Sequence, residues 1–214
     1  MGSKRNAPPR ERLTVENLIL RGVPYEYIEG TLEDYVQDGD IKVFFERYLN
    51  HLHDMYEDRI NLCLYGANGT GKTFLASLIV KEAYRLRYTS YMTTLANLID
   101  VTFKPNKTEE DWQIIKTIKE ADFLVLDEVG KETFNKNLSN VNLLEETLRN
   151  AVKTGQVVII CTNSHLDDLY KKYGASIKSL IEGSYAKLEF EDEDYRGVVL
   201  KKKRALSILA GDED

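Results

Sequence analysis

The chain predicts an α/β fold, with five parallel strands joined by helical crossovers and helices on both faces of the sheet. Three observations predict it. A Gly-rich stretch, Gly66-Ala67-Asn68-Gly69-Thr70-Gly71-Lys72-Thr73, stands between an apolar segment (Leu62, Cys63, Leu64) and a stretch of helical apolar spacing (Leu75, Leu78, Ile79, Ala83). Strand-like and helix-like segments then alternate to the end of the pattern. Phe123-Leu124-Val125-Leu126 is an unbroken apolar run, the mark of a buried strand, and it ends in two carboxylates, Asp127 and Glu128.

Taken in order, residues 1–13 carry Lys4, Arg5, Arg10 and Arg12 around Pro8-Pro9 with almost no apolar content, which reads as a flexible basic tail. Two helical stretches are expected between Leu13 and Tyr56, separated by Gly22-Val23-Pro24 and the Tyr25–Gln37 segment. The second, Ile41 to Tyr56, has apolar residues at helical spacing (Val43, Phe44, Tyr48, Leu52). After the Gly-rich stretch come a strand at Tyr88–Thr93, a helix at Leu95–Val101, and a helix at Thr108–Lys119 whose Trp112, Ile115 and Ile118 form an apolar stripe. Next are the Phe123–Leu126 strand, a helix at Asn140–Lys153, and a strand at Val157–Thr162. Short helices at Leu166–Lys172 and Ile177–Ile181 and a last strand at Lys187–Phe190 complete the pattern.

At 214 residues, 43% apolar and 30% charged, the chain suits one α/β domain with a substantial core. No apolar run approaches a membrane span and no signal-peptide pattern opens the sequence, so a cytoplasmic protein is expected. Cys63 and Cys161 both lie in strand-like runs, which suits buried thiols better than a disulfide or a metal site. A net charge of −6 argues against coating nucleic acid by bulk electrostatics, leaving a local basic groove as the route to such a partner.

The pattern G-x-x-x-x-G-K-T, set between a strand and a helix, is a phosphate-binding loop, and it predicts that the chain binds a nucleoside triphosphate. Gly66, Gly69 and Gly71 allow the backbone to curl its N–H groups inward, where a side chain would block phosphate. The helix begun at Gly71 adds its positive end. Lys72 would reach the β- and γ-phosphates, and the Thr73 hydroxyl would ligate Mg²⁺. The nucleotide-binding set is therefore Gly66, Ala67, Asn68, Gly69, Thr70, Gly71, Lys72, Thr73 and Phe74. Asp127 stands 55 residues after Lys72, at the end of a strand, where a Walker B carboxylate belongs and where it would hold the Mg²⁺ shell. Glu128 would position and activate water, which marks a hydrolase. Val157–Cys161 delivers Thr162-Asn163 to the same edge. Asn163 either hydrogen-bonds the γ-phosphate or lytic water, or caps the following helix.

These motifs together resemble the AAA+ ATPases, and within them the DnaC/DnaI-type replicative helicase loaders and the IstB-type transposition helper ATPases. The resemblance runs from Gly22 to Arg196. It includes Gly22-Val23-Pro24, Gly69-Thr70-Gly71-Lys72-Thr73 with Leu75-Ala76, the Asp122–Lys131 segment, Thr162-Asn163, Tyr173-Gly174 with Ile177, and Asp194-Tyr195-Arg196. It implies a P-loop NTPase three-layer sandwich with the Asn163 strand between the phosphate-loop and Walker B strands. It also implies that Asn163 is the sensor I residue and that Arg196 is the sensor II residue on the γ-phosphate. The expected organisation is a basic tail (1–20), an AAA+ ATPase domain (21–196) and a C-terminal tail (197–214), with a minimal or absent lid, since 18 residues follow Arg196. Lys201–Arg204 with Leu206, Ile208 and Leu209 reads as a solvated end rather than a docking tail.

One departure matters. The family carries Ser-Arg-Leu on the helix before the last strand, its Arg completing a neighbour's site, whereas this chain reads Ser179-Leu180-Ile181. Leu180 therefore predicts an ATPase weak on its own, with Lys178, Arg149 or a partner as other sources of a cation. The resemblance implies ATP and Mg²⁺ as cofactors. As partners it implies a replicative DNA helicase, single-stranded DNA and an ATP-driven homo-oligomer. The resulting reading is a helicase loader in DNA replication, in a form that suits a phage. The alternatives are an IstB-like helper that wraps duplex DNA, or an ATP-binding adaptor with little hydrolysis. Val101–Lys107 offers Phe103, Lys104 and Lys107 for stacking and phosphate contacts. The preferred reading of that segment puts Phe103 in the core and the lysines on the surface.

Overall fold

The computed structural model describes residues 13–36, 39–132 and 139–190. A short helix α1 (Val15–Ile19) and two single 3₁₀ turns (Tyr25–Tyr27, Leu32–Asp34) lead into α2 (Asp40–Asn50) and α3 (Leu52–Glu57). The order is then β1 (Asn61–Gly66), α4 (Lys72–Arg85), β2 (Ser90–Thr94), α5 (Leu95–Phe103), α6 (Glu109–Glu120), β3 (Phe123–Asp127), α7 (Ser139–Thr154), β4 (Val157–Thr162), α8 (Leu166–Tyr173), α9 (Ala175–Ser184) and β5 (Tyr185–Phe190). The five strands form one parallel sheet in the order β2-β3-β4-β1-β5. As expected, β4 lies between the strand that enters the phosphate loop and the strand that ends in Asp127. No helix among the described residues is long and apolar enough to cross a membrane.

The period of two along each strand divides the core in half. Leu62 and Leu64 of β1, Phe123 and Val125 of β3, and Val157, Ile159 and Cys161 of β4 face one apolar cluster, which is closed by Leu75 and Ile79 of α4 and Phe45 of α2. Cys63, Leu124, Leu126, Val158 and Ile160 face the other, against Leu144 and Leu148 of α7 and Ile177 and Ile181 of α9. Burial on both faces explains the unbroken apolar runs, and each such side chain contributes roughly 1.5–3 kcal/mol. Both cysteines are free and buried, and burial pushes the Cys63 thiol up to about 12.

Four expectations are corrected. The Ile41–Tyr56 stretch is two helices, because His51 leaves the helical region at φ −114°, ψ 28°. The second strand begins at Ser90 rather than Tyr88, since Arg87 turns the chain at φ +65° and the Thr89 N–H donates to the Asp122 carboxylate instead of a ladder partner. The Trp112-Ile115-Ile118 stripe on α6 is rotated: Trp112 is 56% exposed, and Asp111 with Ile118 faces inward. Phe103 is 51% exposed and lies outside the core.

Candidate functional site

Strand β1 delivers the phosphate loop at the C-terminal edge of the sheet, beside the edge of β5. Gly66 has φ +121°, and a Cβ there would sit 2.2 Å from the Phe190 carbonyl oxygen. That carbonyl instead accepts the Ala67 N–H at 3.0 Å, so the loop starts from a fixed point on the sheet. Gly71 (φ +91°) is the N-cap of α4, and the Tyr35 ring packs where its side chain would be. The Tyr35 hydroxyl also donates to the Thr70 carbonyl at 3.3 Å. The loop is thus held from the sheet on one side and from the N-terminal segment on the other.

Lys72 opens α4 and is 4% exposed. Its ammonium donates to the Gly66 carbonyl at 2.9 Å, to the Thr70 hydroxyl at 3.2 Å and to the Ala67 carbonyl. The next residue, Thr73, brings its hydroxyl close to the Asp127 carboxylate at the end of β3. Burial raises the Asp127 carboxyl above its ordinary range, while the Glu128 N–H (2.8 Å) and the Thr73 hydroxyl pull it back. One hydroxyl beside one buried carboxylate fits Mg²⁺, which takes one or two protein oxygens and completes its shell with phosphates and water.

Glu128 follows β3 directly, with φ +54°. A non-glycine residue in the left-handed region is uncommon and turns the side chain off the strand axis. Its carboxylate pairs with Lys131 at 2.6 Å, both side chains being nearly half exposed. The Glu128 carboxylate therefore stays in contact with solvent. Thr162 ends β4, and Asn163 follows it on the same sheet edge, between the strands that carry the phosphate loop and Asp127. The capping alternative for Asn163 is excluded, because His165 is the N-cap of α8 and makes no side-chain cap bond. Phe74 turns its ring to Tyr27 (5.5 Å, edge-on) and Gly30, so its side chain braces the N-terminal segment. Arg196 lies outside the described residues. Leu180 on α9 is half-buried against the second core cluster.

Sequence reasoning missed the residues that brace the site. Lys81, buried on α4, donates to the Tyr27 carbonyl at 2.9 Å, the Ile28 carbonyl at 3.2 Å and the Gly30 carbonyl. Burial lowers its pKa. It ties the segment bearing Tyr35 to the phosphate-loop helix, and its visible signal is a lysine set directly after the apolar Leu78-Ile79-Val80 run. Glu132 was missed as well, although it follows the Asp127–Lys131 motif directly.

The family model described as IstB-like ATP binding protein matches residues 33–177. An insertion-sequence IS21-like ATP-binding protein of Bacteroides fragilis is 31% identical over 127 residues, covering 58% of this chain and 47% of the relative. The replicative helicase loader DnaC of Escherichia coli (strain K12) is 26% identical over 145 residues, covering 64% of this chain and 57% of the relative. The chain thus spans roughly half the length of these curated relatives. The crystal structure of the DnaC helicase loader superposes with a TM-score of 0.65 at 20% identity, over 78% of this chain and 99% of that one. The replication initiator DnaA bound to AMPPCP and single-stranded DNA gives a TM-score of 0.65 at 19% identity, over 86% and 56%. At these identities the structures speak for the fold, which is that of the AAA+ P-loop ATPases. With phosphate loop, acidic strand end and β4 edge arranged as described and two thirds of the sequence matched, the chain belongs to the IstB-like ATP-binding family, within the DnaC/IstB-like AAA+ ATPases.

Proposed function

We propose that this protein is an ATP-dependent loader of a replicative helicase, acting in the cytoplasm on single-stranded DNA. The ATPase domain is residues 21–196. The loop Gly66–Phe74 holds the triphosphate, with Lys72 on the β- and γ-phosphates, and Asn163 and Arg196 contact the γ-phosphate. Thr73 and Asp127 hold Mg²⁺, which supplies charge neutralisation on the phosphates when bound. Glu128 orients a water and accepts its proton as the water oxygen bonds the γ-phosphorus and the bond to the ADP oxygen breaks, giving ADP and phosphate. ATP binding favours an assembly that grips helicase and DNA, and hydrolysis lets it go.

The observation that carries the single-strand reading is that α5 and α6 each expose an aromatic side chain. Phe103 and Trp112 are both more than half exposed, and the Lys107 ammonium sits 5.3 Å from the centre of the Trp112 ring. Exposed aromatics beside a cation suit unstacked bases, which duplex DNA does not offer. Lys104, paired to Asp111 at 2.7 Å, is already engaged. The family match supports a second reading, a transposition helper on duplex DNA. Binding experiments separate the two. The loader reading expects ATP-dependent capture of a replicative helicase and preference for single strands, lost in Phe103→Ala/Trp112→Ala. Equal affinity for duplex with no helicase capture at any ATP concentration would replace it with the helper reading.

Leu180 supports slow turnover in homo-assemblies. An arginine supplied in trans is typically worth about 10³–10⁵ in rate. Leu180→Arg is therefore expected to raise steady-state turnover at least tenfold, and more steeply at higher chain concentration. An unchanged rate at all concentrations would mean that α9 does not face a neighbour's nucleotide.

A further inference from the structure

Between the Walker B glutamate and helix α8 lies a buried ionic cluster that the chemistry above does not use. The Glu132 side chain is 3% exposed and the Lys172 side chain 24%, and they pair at 2.8 Å. Glu132 also accepts the Tyr173 hydroxyl and, at 3.0 Å, the Gly130 N–H. The Lys172 ammonium donates in addition to the Gly130 carbonyl at 2.6 Å and to the Glu132 carbonyl at 3.3 Å. Three side chains thus converge on one turn, and three of their five bonds go to its backbone, at Gly130 and Glu132, two and four residues after Glu128.

That turn is closed at its other points too. The Lys131 N–H donates to the Glu128 carbonyl at 3.0 Å, and the Val129 N–H donates to the Cys161 carbonyl of β4 at 3.0 Å. A Cβ on Gly130 would come within 3.1 Å of the Ser164 hydroxyl and 3.4 Å of the Thr162 hydroxyl, so the turn packs directly on the segment that holds Asn163. A buried ion pair is a poor device for stability, since well-packed neutral groups of the same shape do as well or better. Its strength is geometric, because a carboxylate, an ammonium and a phenol satisfied together permit one arrangement.

We propose that Glu132 is a positioning residue: with Lys172 and Tyr173 it clamps the Glu128–Glu132 turn to helix α8 and so fixes the left-handed Glu128 backbone relative to the Asn163 edge. The proposal rests on the reading of Glu128 as the group that orients water. Tyr173 ends α8 and Gly174 leads straight into α9, so the clamp joins Glu128 to the helix that bears Leu180.

The test is the full chain carrying Glu132→Gln/Lys172→Met, which removes both charges while keeping an acceptor for Gly130 and Tyr173, with Tyr173→Phe as a milder companion. Four quantities are measured: ATP affinity, melting temperature, steady-state hydrolysis and amide exchange across residues 127–132. The expected result is a melting temperature within a few degrees of wild type, ATP affinity and KM within twofold, and kcat at least tenfold lower. The Val129 and Gly130 amides should exchange at least tenfold faster while those of β3 are unchanged. A kcat within twofold of wild type overturns the proposal, as does a loss of kcat matched by equal losses of ATP affinity and melting temperature. If the wild-type protein hydrolyses no faster than Glu128→Gln, the ATPase reading fails. Amide exchange then decides the clamp by itself, and unchanged exchange at Val129 and Gly130 overturns it.

Discussion

Glu128→Gln is expected to bind ATP as tightly as the wild-type protein and to hydrolyse it about 10²–10⁴-fold more slowly, the range a positioned general base supplies. The substitution isolates chemistry from binding because of where Glu128 sits. It lies beyond the end of β3, nearly half exposed, and it pairs with an equally exposed lysine, Lys131. An exposed pair of this kind contributes about 0–1 kcal/mol, so its loss leaves the fold intact. Glutamine has the same shape and no greater difficulty with φ +54°, so the turn should survive. What disappears is the ability to take a proton from water. Titration with a fluorescent ATP analogue measures the binding, and phosphate release with helicase and single-stranded DNA present measures the turnover. Release equal to that of wild type would remove Glu128 from this role. Release equally low in both proteins would instead favour the adaptor that holds ATP without hydrolysing it.

The parts of this molecule that were legible in the sequence are those whose physics is local. The phosphate loop, the acidic end of β3 and the alternation of apolar strands with amphipathic helices each depend on residues close together in the chain. The placement of Asn163 on the edge between β1 and β3 followed from the family resemblance, and the sheet order agrees with it. Errors arose where a polar group occupies an inner position. On α6 the inward face begins at Asp111, whose carboxylate is held down to about 2 by Lys104 and by the Thr108 N–H and hydroxyl. Counting apolar residues alone shifted the stripe to Trp112, one position and about 100° around the helix. Phe103 shows the converse. The buried residues of α5 are Leu95, Leu98 and Val101, a spacing that leaves Phe103 off the face. The braces were out of reach for a different reason. Lys81 meets the Tyr27 carbonyl across 54 residues, and Lys172 meets the Gly130 carbonyl across 42. Single-chain periodicity carries no information about such pairings.

Lys72→Ala is expected to abolish the stabilisation that ATP confers. At 100 times its Kd a ligand that binds only the folded state adds about 2.7 kcal/mol. For a chain of this size that corresponds to a rise of roughly 5–10 °C in Tm. The nucleotide-free variant should itself melt somewhat lower, because the ammonium that joins the Gly66 carbonyl to the Thr70 hydroxyl is gone. The two effects are separable, since the second is present without ATP and the first is the difference that ATP makes. Lys72→Arg distinguishes charge from shape. The position is nearly closed to solvent, and the loop backbone crosses within hydrogen-bonding reach of a single ammonium. A planar guanidinium cannot adopt that geometry, so the arginine variant should also lose the ATP-dependent shift despite keeping its charge. Differential scanning fluorimetry with and without Mg·ATP reads all three proteins in one experiment. A full shift in Lys72→Ala would mean that ATP binds elsewhere than in the Gly66–Thr73 loop, and every role argued for Thr73, Asp127 and Glu128 would fall with it.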